Sequence, residues 1–214
     1  MDFSLLLYSI QHDWMVLLPI VAASVLVGMV AIERSKYFNE NQRDLESFVQ
    51  RLQRELYQQK YDNASLVAEQ LGGLYGQITQ EGVTLLQHQP QRFTQAFEIT
   101  IGLALRKLEK GLNLLGTVGT VAPYLGLFGT VVRILLTFGD MAKATGGNGA
   151  EQVMFGIGSA LIATAFGLGV AILAVVLNNH FRNQVEAFEN DFQLIKLVLL
   201  SSTPASPTTT EKLG

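Results

Sequence analysis

Two stretches decide the fold: GLNLLGTVGTVAPYLGLFGTVVRILLTFGD (Gly111–Asp140) and EQVMFGIGSALIATAFGLGVAILAVVLNNHF (Glu151–Phe181). No Asp, Glu, Lys or Arg occurs from Gly111 to Val132 or from Gln152 to Asn179. A helix needs about 20 mostly apolar residues to cross a hydrocarbon core, and both stretches are long enough. A third charge-free stretch, WMVLLPIVAASVLVGMVAI (Trp14–Ile32), precedes them. Uninterrupted apolar helices of this length need lipid around them. The flank MDFSLLLYSIQHD (Met1–Asp13) lacks the basic start of a secretory signal, so the first stretch reads as a retained span.

Composition agrees. Of 214 residues, 49% are hydrophobic and 15% charged, against about 25% charged in a soluble domain. The mean hydropathy is +0.28. The absence of cysteine excludes disulfides, thiolate catalysis and cysteine-ligated zinc. A net charge of −3 gives nucleic acid no electrostatic purchase. His12, His88 and His180 have no metal-ligand spacing, and the spans carry no paired carboxylates and no nucleophile beside a base. An enzyme, a metal site and a cofactor are therefore not expected.

Lys and Arg set the orientation. Ten lie between Glu33 and Lys110, and Arg182, Lys196 and Lys212 follow Asn179. The N-terminal flank has none, and the Gly139–Glu151 connection has only Lys143. The N-terminus is thus expected outside and the C-terminus in the cytoplasm. The resulting division is a periplasmic segment 1–13, span one 14–32, a cytoplasmic helical region 33–110, span two 111–138, a periplasmic loop 139–151, span three 152–179, a cytoplasmic extension 180–200 and a tail 201–214.

The 33–110 region is polar but periodic. Leu45, Phe48, Val49, Leu52 and Leu56, continued by Leu66, Val67 and Leu71, predict one helix ended by Gly72-Gly73. A second helix is predicted over Gly82–His88, stopped by Pro90. From Phe93 the pattern Phe97, Ile101, Leu105 and Leu108 runs into span two without an obvious breaker. Phe181, Val185, Phe188, Phe192 and Ile195 carry span three onward in the same way. The expected fold is all-α: an integral membrane protein with three transmembrane helices, spans two and three extending into a cytoplasmic helical bundle. The Ser/Thr/Pro-rich tail SSTPASPTTTEKLG reads as disordered.

Gly156, Ala160, Ala163, Gly167, Ala171 and Ala174 form a small-residue stripe on span three; Gly116, Gly119, Gly126 and Gly129 do the same on span two. Such stripes let helix backbones approach closely in lipid. Thr117, Thr120, Thr130, Thr137, Ser159 and Thr164 are the hydroxyls of these spans, and the default for each is a bond to its own helix carbonyl. With midplanes near Leu125 and Phe166, Thr164 lies about 3 Å and Thr130 about 7 Å outward at the helical rise. Ser159 and Arg133 fall further out, at about 10 and 12 Å. Arg133 is the one formal charge embedded in otherwise apolar sequence; it either faces a cavity, or snorkels to the outer headgroups or pairs with Asp140 or Glu151.

APYLGLFGTV (Ala122–Val131) followed by GIGSALIATAFGLGVAILAVVLNN (Gly156–Asn179) resembles the MotA/TolQ/ExbB proton-channel family, closest to its ExbB/TolQ branch, and Glu33-Arg34 matches the usual Glu-Arg after span one. The resemblance implies a homopentamer around a dimer of an ExbD/TolR-like single-span partner whose aspartate carries protons. It further implies a TonB/TolA-like energy transducer and an energised outer-membrane process. Thr130 and Thr164 fall on the family's pore-lining threonines. The chain departs from the branch at Ser159, usually glutamate; at Val132-Arg133, usually Trp-Gly; and at Leu173 and Leu177, usually proline and tyrosine. Ser159 removes an ionisable group from the wall, and Arg133 near it would stabilise a carboxylate and oppose cation passage. The alternative is a non-conducting scaffold that only assembles and holds a partner helix.

Overall fold

The computed structural model describes residues 14–143 and 149–202, and no strand occurs among them. Among the described residues seven helices follow in order: α1 (Trp14–Asn41), α2 (Leu45–Tyr57), α3 (Tyr61–Leu71), α4 (Gly73–His88), α5 (Phe93–Leu108), α6 (Leu112–Lys143) and α7 (Gly149–Ser201). A single 3-10 turn, Pro90–Arg92, precedes α5. Within α1, α6 and α7 the segments Leu17–Asn41, Leu112–Ala142 and Val153–Ser201 are long and apolar enough to cross a membrane. The protein is an all-α membrane protein.

The helix ends differ from the periodicity reading in four places. The first predicted helix is two: α2 stops at Tyr57, and Gln59 takes the left-handed conformation at φ 53° before α3 restarts. Gln59 N–H donates to the Leu56 carbonyl at 2.9 Å and Lys60 N–H to that of Glu55 at 3.1 Å, closing the end of α2. An apolar repeat that resumes in phase hides such a break. The second helix begins at Gly73, not Gly82: Gly72 and Gly73 take positive φ, 63° and 59°, which ends α3 and starts α4 at once. Span two does not run on from Phe93. α5 ends at Leu108, and Gly111 at φ 81° turns the chain into α6. The sequence held that signal, since Arg106, Lys107 and Lys110 followed by glycine form a basic last turn with a left-handed stop. Span one, conversely, continues past Ile32 to Asn41. α7 runs unbroken over 53 residues. The segment 1–13 and most of the tail, from residue 203 on, lie outside the described residues, as do 144–148 of the short connection.

The chain forms two compact units. One comprises residues up to Arg34 together with Gly111–Arg182. In it Ile20 and Val27, two turns apart on α1, are buried, and Val30 lies beside Gly111 at the start of α6. Arg34 is buried with its guanidinium on the Glu33 carboxylate at 2.7 Å. Two prolines sit inside the long helices, Pro19 in α1 and Pro123 in α6. Each lacks an N–H, so each removes one backbone bond from its helix.

The other unit comprises Ser35–Lys110 and the chain from Asn183. Its core is aromatic. Tyr75 stacks on Phe188 with centroids 5.0 Å apart and meets Phe192 edge-on at 5.6 Å; Phe38 packs on Phe188 at 5.9 Å. Phe93 stacks on Phe97, and Leu52, Leu56, Ile195 and Leu199 fill the remainder. Gly82 lets α4, α5 and α7 meet: a methyl there would stand 2.5 Å from Leu199 Cδ1 and 2.6 Å from Phe97 Cε2. Polar contacts fix the register. Asn41 donates to the Tyr37 carbonyl at 2.9 Å and accepts from Leu74 N–H at 3.0 Å, and Lys196 pairs with Glu98.

The Tyr75 hydroxyl donates to the Asp191 carboxylate at 2.5 Å. Burial first, then Asp191, hold its phenol well above the ordinary value. The neutral phenol is therefore the form the fold favours. Its contribution is complete below about pH 10, where the unfolded tyrosine is neutral, and declines as pH rises beyond that. Tyr75→Phe is expected to cost about 1–2 kcal/mol at neutral pH, since it removes one charge-assisted bond at a partly exposed carboxylate. It should also flatten the alkaline fall in thermal stability. Melting of detergent-solubilised protein between pH 7 and 11 checks both; equal alkaline slopes in the two proteins would count against the assignment.

Candidate functional site

The site is built on the antiparallel contact between α6 and α7. From one end to the other, Gly116 faces Asn178, Gly119 faces Val175, Gly126 faces Ala163 and Thr164, and Thr137 faces Gly156. In the middle the facing atoms are backbone. A methyl on Gly126 would lie 3.0 Å from Thr164 Cα and 3.3 Å from the Ala163 and Thr164 carbonyl oxygens. One on Gly167 would lie 2.7 Å from the Ala122 carbonyl oxygen and 3.1 Å from Gly126 Cα. Here backbone meets backbone: only glycine fits at 167, and a methyl at 126 would require the facing backbone to give by a few tenths of an ångström. Gly129, Ala160, Ala163, Ala171 and Ala174 are buried. At Gly116 the nearest atoms, the Asn178 amide, are 3.9 Å from such a methyl, so the seam is looser at that end.

The hydroxyls sort into two kinds. Five bond within their own helix: Thr117 to Asn113, Thr120 to Thr117, Thr130 to Leu127, Thr137 to Arg133 and Ser159 to Gly156, at 2.6–3.0 Å from the respective carbonyl oxygen. Thr164 is the exception. Its Oγ1 donates across the seam to the Gly126 carbonyl at 3.0 Å. Thr130 and Thr164 are both half-buried, but each uses a different carbonyl and no bond joins them. The acceptor, Gly126 O, escaped the sequence reading because helical periodicity cannot pair residues across two helices. Its signal was a glycine of span two opposite the Ala163-Thr164 pair of span three.

Toward one end of the seam Arg133 reaches across to α7. Its Nε donates to Ser159 Oγ at 3.0 Å, and Ser159, fully buried, donates in turn to the Gly156 carbonyl at 3.0 Å. Two of the positions that depart from the branch pattern, Arg133 and Ser159, are thus in contact. Serine suits the guanidinium because its hydroxyl accepts from Arg133 while giving its own proton to a carbonyl. Among the described residues no three His, Asp or Glu side chains come together to hold a metal ion.

Comparison with known proteins agrees with this architecture. Residues 71–194, which include the Gly126–Thr164 and Arg133–Ser159 contacts, match the MotA/TolQ/ExbB proton channel family. The chain is 32% identical over 200 residues to the Tol-Pal system protein TolQ of Pseudomonas aeruginosa, covering 85% of this chain and 86% of that protein. It is 41% identical over 90 residues to a putative biopolymer transport protein, ExbB-like 1, of Synechocystis, covering 41% of this chain and 35% of that one. It is 47% identical over 78 residues to the putative biopolymer transport protein ExbB-like 2 of Helicobacter pylori, covering 35% and 51%. A family match over more than half of the chain and a relative aligned along most of its length give one conclusion: this glycine-seamed, three-span chain belongs to the MotA/TolQ/ExbB proton channel family.

Proposed function

We propose that the chain is the channel-forming subunit of a proton-driven motor in the bacterial inner membrane. Five copies surround a dimer of a single-span ExbD/TolR-like partner, and the assembly energises an outer-membrane process through a TonB/TolA-like transducer. The observation that carries this reading is the near-complete alignment with a Tol-Pal system TolQ. The seam adds physical support: three helices of one copy enclose little water, so a polar path needs several copies with α6 and α7 turned toward it. In that arrangement Thr130 and Thr164 line the proton path, Arg133 and Ser159 stand at its outer part, and the glycine-alanine stripes hold the helices together. The concentration of Lys and Arg in the 33–110 region and the C-terminal part, and their absence from the N-terminal flank, supports a periplasmic N-terminus and a cytoplasmic C-terminus.

The second reading, a non-conducting scaffold, is favoured by one contact. Arg133 places a fixed cation beside Ser159, where the branch usually has an acid. Proton flux separates the two readings. The chain is reconstituted into vesicles with the single-span protein encoded beside it, and acidification follows an imposed potential. The motor reading expects flux above that of bare vesicles. It also expects Thr164→Val to lower flux roughly tenfold and Thr130→Val with Thr164→Val roughly a hundredfold, from a loss of about 1–3 kcal/mol per hydroxyl. Full flux in the double variant would remove the hydroxyls from the path, and no flux in the unsubstituted complex would leave the scaffold.

Assembly and orientation have their own tests. Native mass spectrometry in mild detergent should give a homopentamer; monomers and dimers alone across several detergents would contradict it. In intact cells Ser47→Cys should react with membrane-permeant thiol reagents and resist impermeant ones. Labelling by the impermeant reagent would invert the topology.

A further inference from the structure

We propose that α6 and α7 carry two matched outer faces by which copies of this chain dock on one another, α6 of one copy against α7 of the next, with Tyr124 seated on Ala165. This deepens the reading above and rests on it. The α6 face is Val121, Tyr124, Phe128, Val131 and Leu135. Their spacings of three and four make the seven-residue repeat of helices that interlock side by side. All five are exposed or half-buried, Tyr124 at 71% and Phe128 at 64% exposure. The α7 face is Met154, Gly158, Leu161, Ala165 and Leu168, on the same repeat and likewise exposed or half-buried. With Phe166, Gly169 and Leu173, Ala165 also borders an apolar notch of about 330 Å³.

The two faces are in register. Across the seam Gly126 lies opposite Ala163 and Thr164, and the Ala122 carbonyl opposite Gly167. The helices are antiparallel with equal rise. Counting along each from these points puts Tyr124 level with Ala165, Phe128 with Leu161 and Val131 with Gly158. Copies related by an axis along the bilayer normal share one depth, so residues of one level meet. Large then meets small at Tyr124 with Ala165 and at Val131 with Gly158. Each face also lies two residues on from the seam, Tyr124 from Ala122 and Ala165 from Ala163, or about 200° round its helix. The faces therefore lie on opposite sides of the α6–α7 pair. A knob edge and a hole edge so placed give head-to-tail contacts, the kind that closes into a ring.

Lipid fits these faces poorly. Tyr124 stands at the middle of span two, where tails offer its hydroxyl no partner, and tyrosine belongs at membrane interfaces. The complement of each face is present on the chain itself, which identifies the occupant as a second copy. Each face exposes on the order of 500 Å². A contact that covers both buries about 1,000 Å², the size at which an interface becomes specific.

The chain has no cysteine, so introduced ones report without background. Tyr124→Cys and Ala165→Cys in one chain, oxidised in membranes, are expected to give a covalent ladder from dimer to pentamer. Within one chain the two sites lie on opposite sides of the helix pair and do not meet. A mixture of the two single variants is expected to stop at dimers. Tyr124→Cys with Gly158→Cys, about 10 Å out of register, is expected to give at least roughly tenfold less product. Independently, Ala165→Leu with Gly158→Leu fills the holes. A methyl on Gly158 meets nothing within 4 Å in the chain itself, so helicity is expected to be kept and the pentamer lost from native mass spectra. A pentamer whose matched cysteine pair gives no product, or one that survives the paired leucine substitutions, overturns the inference while the channel reading stands. So does protection of these cysteines from membrane-permeant thiol reagents only when the single-span protein is co-produced, which gives the faces to that protein. Monomers alone in the unsubstituted chain overturn both.

Discussion

Everything in the membrane-spanning unit depends on two helix backbones approaching closer than side chains allow. In lipid there is no hydrophobic push between apolar helices, because the surrounding tails are as apolar as leucine. Contact must come from close packing and from interhelical hydrogen bonds. Gly126 and Gly167 supply the first, and the bond from Thr164 to the Gly126 carbonyl supplies the second. Such bonds average about 0.6 kcal/mol in membrane proteins and reach about 1.7. Stability alone is thus a weak reason for the bond. Its larger effect is to set the direction in which a polar atom faces in an apolar medium.

The spans were legible because charge is nearly forbidden in hydrocarbon, and its absence from Trp14–Ile32 and Gln152–Asn179 is an unmistakable pattern. The small-residue faces were equally open to reading, since glycine and alanine at spacings of three and four have few other uses in a span. Local backbone conformation was less legible. Gln59 adopts a left-handed conformation that glutamine rarely takes, and nothing in its neighbours announces it. Gly111 was announced, by the basic turn before it, but an apolar repeat continuing on both sides drew attention away. Periodicity reports which face is buried. It does not report whether the helix carrying that face is one piece.

At the candidate site the sequence ranked the residues by depth but could not pair them. Depth arithmetic placed Arg133 and Ser159 at about the same level, within about 2 Å by helical rise, and they meet at 3.0 Å. The same arithmetic set Thr164 near Thr130, yet Thr164 bonds to Gly126 instead. Depth is a one-dimensional coordinate; rotation about the helix axis decides which of several groups at one level becomes a partner. The arginine also shows how one substitution constrains another. A cation within a span costs about 3 kcal/mol near the bilayer centre and less toward the surface. A buried serine whose lone pair faces the guanidinium offsets part of that cost.

The seam has a consequence for how the protein can change over generations. Gly119 and Gly156 face side chains, those of Val175 and Thr137. A larger residue at either glycine can be accommodated by trimming the residue across from it, so second-site suppressors are available. Gly126 and Gly167 face main-chain atoms, which no substitution can shrink. At Gly167, where a methyl would stand 2.7 Å from the Ala122 carbonyl oxygen, a lesion has no compensating partner in the facing helix, and recovery is confined to true reversion.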